Sequence, residues 1–297
     1  MADIVWFITA TSSGFGKAIA QEGLRRGHKV IATARDSSKL GELKAAGAVV
    51  MDLDVTSDEE TLSAKLAEAN AIYGKITHVV NPAGYILEGA IEEASQKEVL
   101  AHFNTNVFGT FNMARAAVPH LREAAKTGTH VALANFGSLG SWWSGPAVAH
   151  YCSTKYAVTG LSEGLVDELK PFGIDVCVVE PGYTRTGFLA TGAANGDSSA
   201  DHRVQTKRVL PVYDGTPVEA VRNAMNAYNG NQPSDVDKCA KLIVDVLTKT
   251  GVAEGKEVPV RLPLGEDTVA TIRKKCEDTL KLVAEWEAVS VATGFDV

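Results

Sequence analysis

The 297-residue sequence lacks the marks of secreted, metal-binding, membrane and nucleic-acid-binding proteins. Its four cysteines show neither C-x-x-C spacing nor a nearby histidine cluster, which argues against disulfides and a metal site. The apolar stretch at positions 4–8 is far shorter than the ~20 residues that span a bilayer, and no basic signal-peptide segment precedes it. A net charge of −7 without a long Lys/Arg run argues against a nucleic-acid partner. We therefore expect a cytoplasmic protein with no metal, membrane or nucleic-acid partner.

Short apolar runs recur along the chain, separated by stretches with helical periodicity. The runs lie at positions 4–9, 30–34, 49–53, 77–80, 131–134, 174–179 and 258–260. They are almost continuously apolar, as in parallel strands that are buried on both faces. Apolar residues three and four apart give each intervening helix one buried side. The alternation predicts an α/β fold with a doubly wound parallel sheet, in one domain over residues 1–297.

The alternation is interrupted once, between residues 187 and 233. This segment follows the sixth strand and is rich in Gly, Ala, Asn, Asp and Ser. Long insertions of this kind are usually binding loops and are sometimes merely disordered. Because ligands of doubly wound sheets bind beyond the carboxyl ends of the strands, we predict a substrate lid here. Residues 234–297 are predicted to complete the fold with a helix, a strand and a second helix.

A glycine-containing turn follows the first strand, with the sequence TATSSGFG at positions 9–16. Between a strand and a helix, such a turn directs backbone N–H groups and the helix dipole at a pyrophosphate. Gly14 and Gly16 would permit close approach of the backbone to the ligand. A tight turn without a ligand has the same spacing, but the position in the first β-α unit favours a dinucleotide site.

The end of the second strand bears on the choice of cofactor. Sites for NAD place an acid about 20 residues beyond the glycines, where it binds the ribose 2′-hydroxyl. Here Ala34 ends the strand and Arg35 follows, and a guanidinium can bind a 2′-phosphate through paired hydrogen bonds. The alternatives are that Arg35 is a solvated surface residue or that Asp36 neutralises it. Asp36 could instead cap the next helix.

Tyr151 and Lys155 are four residues apart at the start of a helical stretch, which places their side chains on one face. The pair could arise by chance in a chain with seven tyrosines. An adjacent cation favours the phenolate, however, and so would lower the tyrosine pKa from its usual value near 10. This pattern is typical of a proton donor and acceptor.

The sequence resembles the short-chain dehydrogenase/reductase superfamily over nearly the whole chain. The resemblance rests on several motifs that occur in the order found in that family. Residues 9–16 resemble its T-G-x-x-x-G-x-G turn, 54–55 its adenine-contacting pair, 81–84 its N-N-A-G strand end, and 181–186 its nicotinamide-amide segment. Ser138 precedes Tyr151 by 13 residues, in the family's Ser, Tyr and Lys order, and Asn106 falls at its active-site Asn. The ends of the first two strands resemble the branch that contains hydroxysteroid and retinol dehydrogenases.

The resemblance implies hydride transfer between NADP(H) and a carbonyl or secondary alcohol. Tyr151 would act as general acid and base, and Lys155 would hold the nicotinamide ribose and lower the tyrosine pKa. Ser138 would bind the substrate oxygen, and Asn106 would hold a water of the proton relay. The cofactor-binding residues that it implies are Thr9, Thr11, Ser13, Gly14, Phe15, Gly16, Arg35, Asp54, Val55, Asn81, Ala83, Gly84, Tyr151, Lys155, Pro181, Gly182, Thr184 and Thr186.

Three positions depart from the family pattern. Ala10 replaces the first glycine of the turn, which we expect to be tolerated only if its backbone φ is negative. Pro82 replaces an asparagine, and Gly137 stands where a second serine is common. None of these changes removes a residue that would perform chemistry.

Bulky side chains beside the motifs predict a pocket for a flat or bulky apolar molecule. They are Tyr85, Trp142, Trp143, His150, Tyr183, Phe188 and Leu189. The two tryptophans could instead serve packing or a subunit interface, and the histidine could face away.

Two other classes of function compete with a reductase: an NADP-binding sensor or scaffold without turnover, and a cyclase or isomerase that uses the same pocket. The presence of all four residues Asn106, Ser138, Tyr151 and Lys155 counts against both. The stretches 104–121 and 151–169 resemble the helices that pair in this family, which implies a homodimer or homotetramer.

Overall fold

A computed structural model describes residues 4–190 and 202–295. In chain order the strands are β1 (Val5–Ile8), β2 (Lys29–Ala34), β3 (Val49–Asp52), β4 (His78–Asn81), β5 (Ile86–Glu88), β6 (Val131–Phe136), β7 (Ile174–Pro181), β8 (Thr184–Arg185), β9 (Arg203–Gln205), β10 (Ser234–Asp235) and β11 (Arg261–Leu264). The α-helices are α1 (Gly14–Arg25), α2 (Gly41–Ala45), α3 (Glu59–Tyr73), α4 (Gln96–Phe103), α5 (Thr110–Ala125), α6 (Ala149–Leu169), α7 (Pro217–Tyr228), α8 (Val236–Thr248) and α9 (Glu266–Ser290).

Seven parallel strands form the central sheet, in the order β11-β7-β6-β4-β1-β2-β3. The central strands are buried over their whole length, which accounts for their continuous rather than alternating hydrophobicity. Helices α3, α5 and α6 supply an apolar core on one face, and α1, α2 and α8 supply a second core on the other. The predicted doubly wound, Rossmann-like sheet is confirmed. No helix of residues 4–190 and 202–295 is long and apolar enough to cross a membrane.

The last strand of the sheet was predicted at the wrong place. The apolar run at 258–260 precedes it, and the strand itself is β11, at residues 261–264. Only the carbonyl of Val260 joins the ladder, by accepting from the N–H of Val178 at 2.8 Å. Pro263 lies within the strand, where an edge position tolerates a residue without an N–H donor. Because the strand contains Pro263 and begins at Arg261, it is not a continuous apolar run and the hydrophobic pattern does not identify it.

The segment between β7 and α8, where the alternation of strands and helices is interrupted, has secondary structure of its own. In it, β9 pairs in parallel with β5, and β10 pairs with β8. Helix α7 begins at a proline, with the Thr216 hydroxyl as its cap. Part of the predicted lid, residues 191–201, lies outside the described residues.

Buried ion pairs connect this segment to β5 and the loop after it. Arg203 contacts Glu88 at 2.9 Å, and Arg222 lies between Glu88, at 3.4 Å, and Glu93. All four charged side chains are buried. Because a buried charge is costly without its partner, these contacts define one position for β9 and α7.

Candidate active site

The turn after β1 places the backbone of residues 9–16 at the carboxyl edge of the sheet. Thr9 and Thr11 are buried, and Thr11 binds the Thr33 carbonyl through both its N–H, at 2.9 Å, and its hydroxyl, at 3.1 Å. A side chain at Gly16 would clash with the Ala10 carbonyl oxygen, so the helix packs on the strand only because this residue is glycine.

Ala10 has a φ of +50°, which contradicts the expectation of a negative value. The left-handed region brings the Cβ of an L-residue too close to the following carbonyl. The turn therefore retains the conformation that a glycine would adopt, at the cost of local strain. Gly14, at +52°, adopts the same region without that cost.

The N-terminus of α1 is well suited to an anion. Its first turn contains no acidic residue, and no side chain within residues 4–190 and 202–295 caps it. Ser13, the cap residue, instead places its Oγ 2.8 Å from Nε2 of His202. Phe15 packs against Phe136, with ring centroids 5.3 Å apart. The N–H groups of this turn, which are left without a side-chain cap, and the helix dipole thus fit a phosphate.

At the end of β2 the structure shows what Asp36 does. Its carboxylate accepts hydrogen bonds from the N–H and the hydroxyl of Ser38, at 3.0 and 2.6 Å, and so caps the turn at 37–40. The capping alternative for Asp36 is therefore observed. Arg35 is exposed beside it.

The strand after α2 leads into a second turn of the predicted cofactor site. The Asp54 carboxylate accepts from the N–H and hydroxyl of Thr56, at 2.9 and 2.7 Å, which fixes the turn. Val55 is buried against Gly109, where a side chain would clash with it.

The end of β4 is fixed by buried amides. Asn81 donates to Asn135 Oδ1 at 3.0 Å, and Asn135 donates to the Ser162 hydroxyl at 3.0 Å. Ala83 packs against the core. A Cβ at Gly84 would come within 3.1 Å of Asn106 Oδ1, so this glycine allows the loop to approach the helix that carries Asn106.

After β7, the segment 181–186 forms one wall of the site. The N–H of Gly182 donates to the Leu264 carbonyl at 2.8 Å, and a side chain there would clash with Asp267. Thr184 is buried. Thr186 caps the turn at 187–189, and its side chain lies beside Gly14. Pro181 and these residues therefore face the turn after β1.

Tyr151 and Lys155 project from the first turns of α6 toward the end of β6. Lys155 Nζ is buried, lies 5.8 Å from the centroid of the Tyr151 ring, and donates to the Phe136 carbonyl at 2.7 Å. The Tyr151 hydroxyl shares a hydrogen bond with Ser138, whose Oγ also accepts from the N–H of Gly140 at 3.1 Å. The structure brings Ser138, Tyr151 and Lys155 together.

The electrostatics of this trio differ from the expectation of a lowered tyrosine pKa. Burial raises the pKa of Tyr151 above its ordinary value and outweighs the opposing hydrogen bond with Ser138. Burial also lowers the pKa of Lys155 to about 8, which weakens the cation that was expected to stabilise a phenolate. Burial of Tyr151 therefore disfavours its phenolate form.

Asn106 lies in a π-helical turn, at 104–109, between α4 and α5. Its Oδ1 accepts from the N–H of Tyr85 at 3.0 Å, and its Nδ2 donates to the Tyr85 carbonyl at 2.9 Å and to Thr154 Oγ1 at 3.1 Å. The side chain therefore fixes the loop after β4 to α6. Its predicted role in holding a water stays a prediction.

Two histidines at the site were not identified from sequence. His102 is buried one helical turn before Asn106. Its Nε2 donates to the Tyr85 carbonyl at 2.9 Å, and its ring stacks near Tyr151, with centroids 6.4 Å apart. The spacing of four from Asn106 could have indicated it. His202 carried no sequence signal, because only the fold brings it to Ser13.

One cleft joins these parts. It lies between the turn after β1 and the first turns of α6, and its space, with the open solvent at its mouth included, is about 1230 Å³. Ala10, residues 13–16, Ser138, Tyr151 and Lys155 line it, and so do four of the predicted substrate residues, Trp143, Tyr183, Phe188 and Leu189. Most of the wall is apolar.

Three predicted substrate residues are not among those that line the cleft. Trp142 donates to the buried Glu180 carboxylate at 2.9 Å, and Arg261 lies 3.7 Å above its ring. Tyr85 packs against His102, with centroids 4.9 Å apart, and His150 is buried in the first turn of α6. For Trp142 the packing alternative is the one observed.

Comparison with known proteins identifies the family. The sequence profile described as short chain dehydrogenase matches residues 4–195, about two thirds of the chain. The chain belongs to the short-chain dehydrogenase family. No cluster of three or more potential metal ligands occurs in the described part of this short-chain dehydrogenase.

Full-length relatives agree with this assignment. Oxidoreductase BOA17 of Botryotinia fuckeliana is 32% identical over 97% of this chain and 98% of its own length. Oxidoreductase calM of Penicillium decumbens is 33% identical over 100% of this chain and 94% of its own. A short-chain dehydrogenase from Streptomyces avermitilis, of known crystal structure, is 34% identical with a TM-score of 0.84 and covers 99% of both chains. This short-chain dehydrogenase is therefore an oxidoreductase of that family.

Proposed function

We propose that this enzyme transfers a hydride between NADP(H) and a carbonyl or secondary alcohol of a bulky apolar small molecule. The observation that carries the proposal is the single cleft in which an uncapped helix N-terminus faces Ser138, Tyr151 and Lys155. The end of the cleft at the α1 N-terminus suits a phosphate. The end at Tyr151 suits proton transfer to a substrate oxygen that is surrounded by apolar side chains.

The residues present fit a dinucleotide. The N–H groups of Gly14, Phe15 and Gly16 would hold the pyrophosphate, with Thr186 opposite them. Lys155 uses one donor on the Phe136 carbonyl and has two others for a ribose hydroxyl. When bound, the nicotinamide supplies the hydride that accompanies the proton transfer.

Tyr151 would donate its phenolic proton to the substrate oxygen, while the Ser138 hydroxyl binds the same oxygen. Reduction of a carbonyl needs a proton at oxygen, and burial of Tyr151 raises its pKa and so keeps that proton in place. The protonated tyrosine can therefore act as the acid in carbonyl reduction. For alcohol oxidation Tyr151 would first have to lose its own proton, and its phenolate oxygen would then accept the hydroxyl proton.

The apolar wall defines the substrate class. Trp143, Tyr183, Phe188 and Leu189 surround the position that a reacting carbonyl would occupy near Tyr151, and Phe188 packs on its ring at 6.0 Å between centroids. Such a lining favours a flat or bulky apolar ketone over a charged metabolite. Residues 187–233 supply part of this wall, in keeping with the proposed substrate lid.

Turnover is the decisive test. Loss of NADPH absorbance against a panel of aromatic and alicyclic ketones should reveal a substrate, and Tyr151→Phe should reduce kcat at least 100-fold. NADPH affinity, measured by fluorescence, should stay nearly unchanged, because only the proton-bearing oxygen is removed. Tyr156→Phe, five residues further on α6 and exposed, is the matched control. An active Tyr151→Phe enzyme would exclude the proposed acid.

Preference for NADPH rests on Arg35 and on the absence of an acid at Ala34. The fold does not decide this choice, since fold neighbours at 22% identity include a Burkholderia phymatum protein in complex with NAD and ElxO with NADP. A charge-assisted contact contributes about 1.5–3 kcal/mol, or roughly ten- to a hundredfold in affinity. Arg35→Ala should raise KM for NADPH and leave NADH kinetics unaltered. Equal use of both cofactors by the unmutated enzyme would contradict the assignment.

We also propose a cytoplasmic homo-oligomer in which α4 to α6 pair between copies. The large apolar side chains of Leu100, Phe108 and Leu161 are exposed on these helices. Their burial against a second copy would remove apolar surface that the sheet does not cover.

A further inference from the structure

Gln232 is a buried polar residue of the cleft that neither the sequence motifs nor the proposed reaction accounts for. It lines the cleft and is only 1% exposed. Its amide Nε2 and Oε1 are both buried, and neither has a hydrogen-bond partner among residues 4–190 and 202–295. Because a buried amide without a partner is costly, its presence in a native structure calls for an explanation.

The other buried polar atoms without a hydrogen bond differ from this amide. In the described part of the chain, none of the other residues with such atoms lines the cleft: Thr9, Asn81, Glu88, His102, His150, Arg203 and Arg222. The two arginines and Glu88 form ion pairs, and Asn81 and His102 each donate or accept through their second polar atom. Of the described residues, Gln232 therefore has the only wholly unpaired amide in the cleft wall.

The backbone of Gln232 is fixed beside the wall that residues 183–185 form. Its carbonyl accepts from Arg185 Nη2 at 3.2 Å. Two residues later, Ser234 donates its N–H to the Tyr183 carbonyl at 3.2 Å, and β10 pairs with β8. The side chain thus extends from a fixed backbone, whereas its amide makes no hydrogen bond to the described chain. Rotation about the side-chain bonds can turn the amide toward a bound group without moving the backbone.

The charges of the cleft indicate which group the amide would bind. Of the described residues that line the cleft, none is acidic, and only Lys155 and His202 can carry a positive charge. Lys155 lies beside Tyr151, and His202 contacts Ser13 at the phosphate end. An amide carries no charge and both donates and accepts hydrogen bonds. It therefore suits a neutral group that does the same, such as a hydroxyl.

We propose that Gln232 binds a hydroxyl group of the substrate, separate from the carbonyl that is reduced at Tyr151. The substrate is then a hydroxyketone with an apolar skeleton. Because its carbonyl is placed at Tyr151, this assignment rests on the proposed function. A site that hydrogen-bonds a hydroxyl discriminates against an analogue without it, since the buried amide is then left unpaired.

A matched set of ketones tests the assignment: 4-phenylcyclohexanone and its three analogues with one hydroxyl on the phenyl ring, at the ortho, meta or para position. For the wild type, kcat/KM of at least one hydroxylated ketone should exceed that of the parent by at least about tenfold. Gln232→Met keeps the length of the side chain but removes the amide, and should abolish this preference. Gln205→Met, at an exposed glutamine of β9, is the matched control and should retain it. A preference that persists in Gln232→Met would overturn the proposal.

Equilibrium binding separates this assignment from the proposed reaction. Calorimetry on the wild type bound to NADP⁺ measures affinity without turnover, because the oxidised cofactor cannot reduce a ketone. The preferred hydroxylated ketone should bind at least about tenfold more tightly than the parent. If no ketone is reduced, the proposed reaction fails, but hydroxyl-dependent binding that Gln232→Met abolishes would still support the assignment. Equal affinities for the four ketones, or no binding of any, would contradict it whether or not the enzyme turns over.

Two further measurements test other roles for the amide. If the amide held the fold together, Gln232→Met would lower the midpoint of urea denaturation of the ligand-free protein. We expect a midpoint at or above the wild-type value, because the substitution removes an unpaired buried polar group. If the amide bound the nicotinamide carboxamide instead, Gln232→Met would weaken NADPH binding in the absence of ketone. A lowered midpoint or a weakened NADPH affinity would overturn the proposal.

Discussion

At the scale of single residues, Ala10 shows how backbone geometry overrides residue preference. The turn needs a left-handed φ at this position, because the chain must reverse between β1 and α1 while Gly16 packs on the Ala10 carbonyl. Alanine adopts that conformation under strain, which costs about 1–2 kcal/mol. The surrounding contacts of Thr9 and Thr11 hold it in place.

Ala10→Gly should therefore stabilise the protein. The relief of strain exceeds the extra entropy of glycine in the unfolded chain, so the free energy of unfolding should rise by up to about 1 kcal/mol. Urea denaturation measures the change. Ala67→Gly, at an exposed position within α3, is the matched control and should lower the free energy by about 1 kcal/mol. Destabilisation by both changes would show that Ala10 is unstrained.

At the scale of elements, the segment between β7 and α8 is held by charge rather than by a large core. Among the described residues of this segment, two small apolar clusters join it to the body, with Met225 in one and Val218 in the other. The ion pairs of Arg203 and Arg222 with Glu88 and Glu93 fix β9 and α7 beside the cleft. The same segment supplies the cleft wall at Phe188 and Leu189.

Removal of one charge from this network should loosen the segment. Arg222→Met leaves Glu88 and Glu93 buried without one of their partners, and the free energy of unfolding should fall by about 3–5 kcal/mol. Hydrogen exchange should increase first at residues 86–93 and 203–228. Arg208→Met, at an exposed arginine of the same segment, should change stability by less than about 0.5 kcal/mol. Equal effects of the two variants would show that the ion pairs do not hold the segment.

At the scale of the whole molecule, the parallel sheet gathers the site at one edge. The turn after β1, Ser138 after β6 and Pro181 after β7 meet there because all seven strands point the same way. Packing both faces of that sheet also buries polar groups. His78 lies inside one core, and His102 lies beneath the cleft.

Those buried histidines should make stability fall with acid. Burial lowers the pKa of His78 to about 3 and that of His102 to about 4, from 6.5. The folded protein therefore binds fewer protons than the unfolded chain once the pH drops below about 6.5. The free energy of unfolding should be nearly constant from pH 8 to 7 and fall by roughly 4 kcal/mol between pH 7 and 5.

Denaturation at several pH values measures this dependence. His78→Gln should reduce the slope between pH 7 and 5 by about half, whatever its effect on absolute stability. The carboxyl groups whose pKa values are lowered affect stability in a different pH range. Their protonation reduces the free energy of unfolding only below about pH 4.5. A pH-independent free energy between 7 and 5 would contradict the buried, neutral histidines.

The sequence by itself determined the sheet, the family and the order of the motifs. Six of the seven sheet strands are continuous apolar runs, and local composition suffices to recognise them because both faces are buried. The seventh strand, β11, was not recognised from the hydrophobic pattern, because an edge strand tolerates Arg261 and Pro263. The glycine turn and the Tyr-x-x-x-Lys spacing are likewise local patterns.

Only the tertiary structure decided the φ of Ala10, the environment of Tyr151, and which bulky residues face the cleft. Trp142 and Trp143 are neighbours in sequence, yet one stacks under Arg261 and the other lines the cleft. His202 reaches Ser13 across 189 positions of sequence. Burial, stacking and pKa depend on atoms brought together from distant segments.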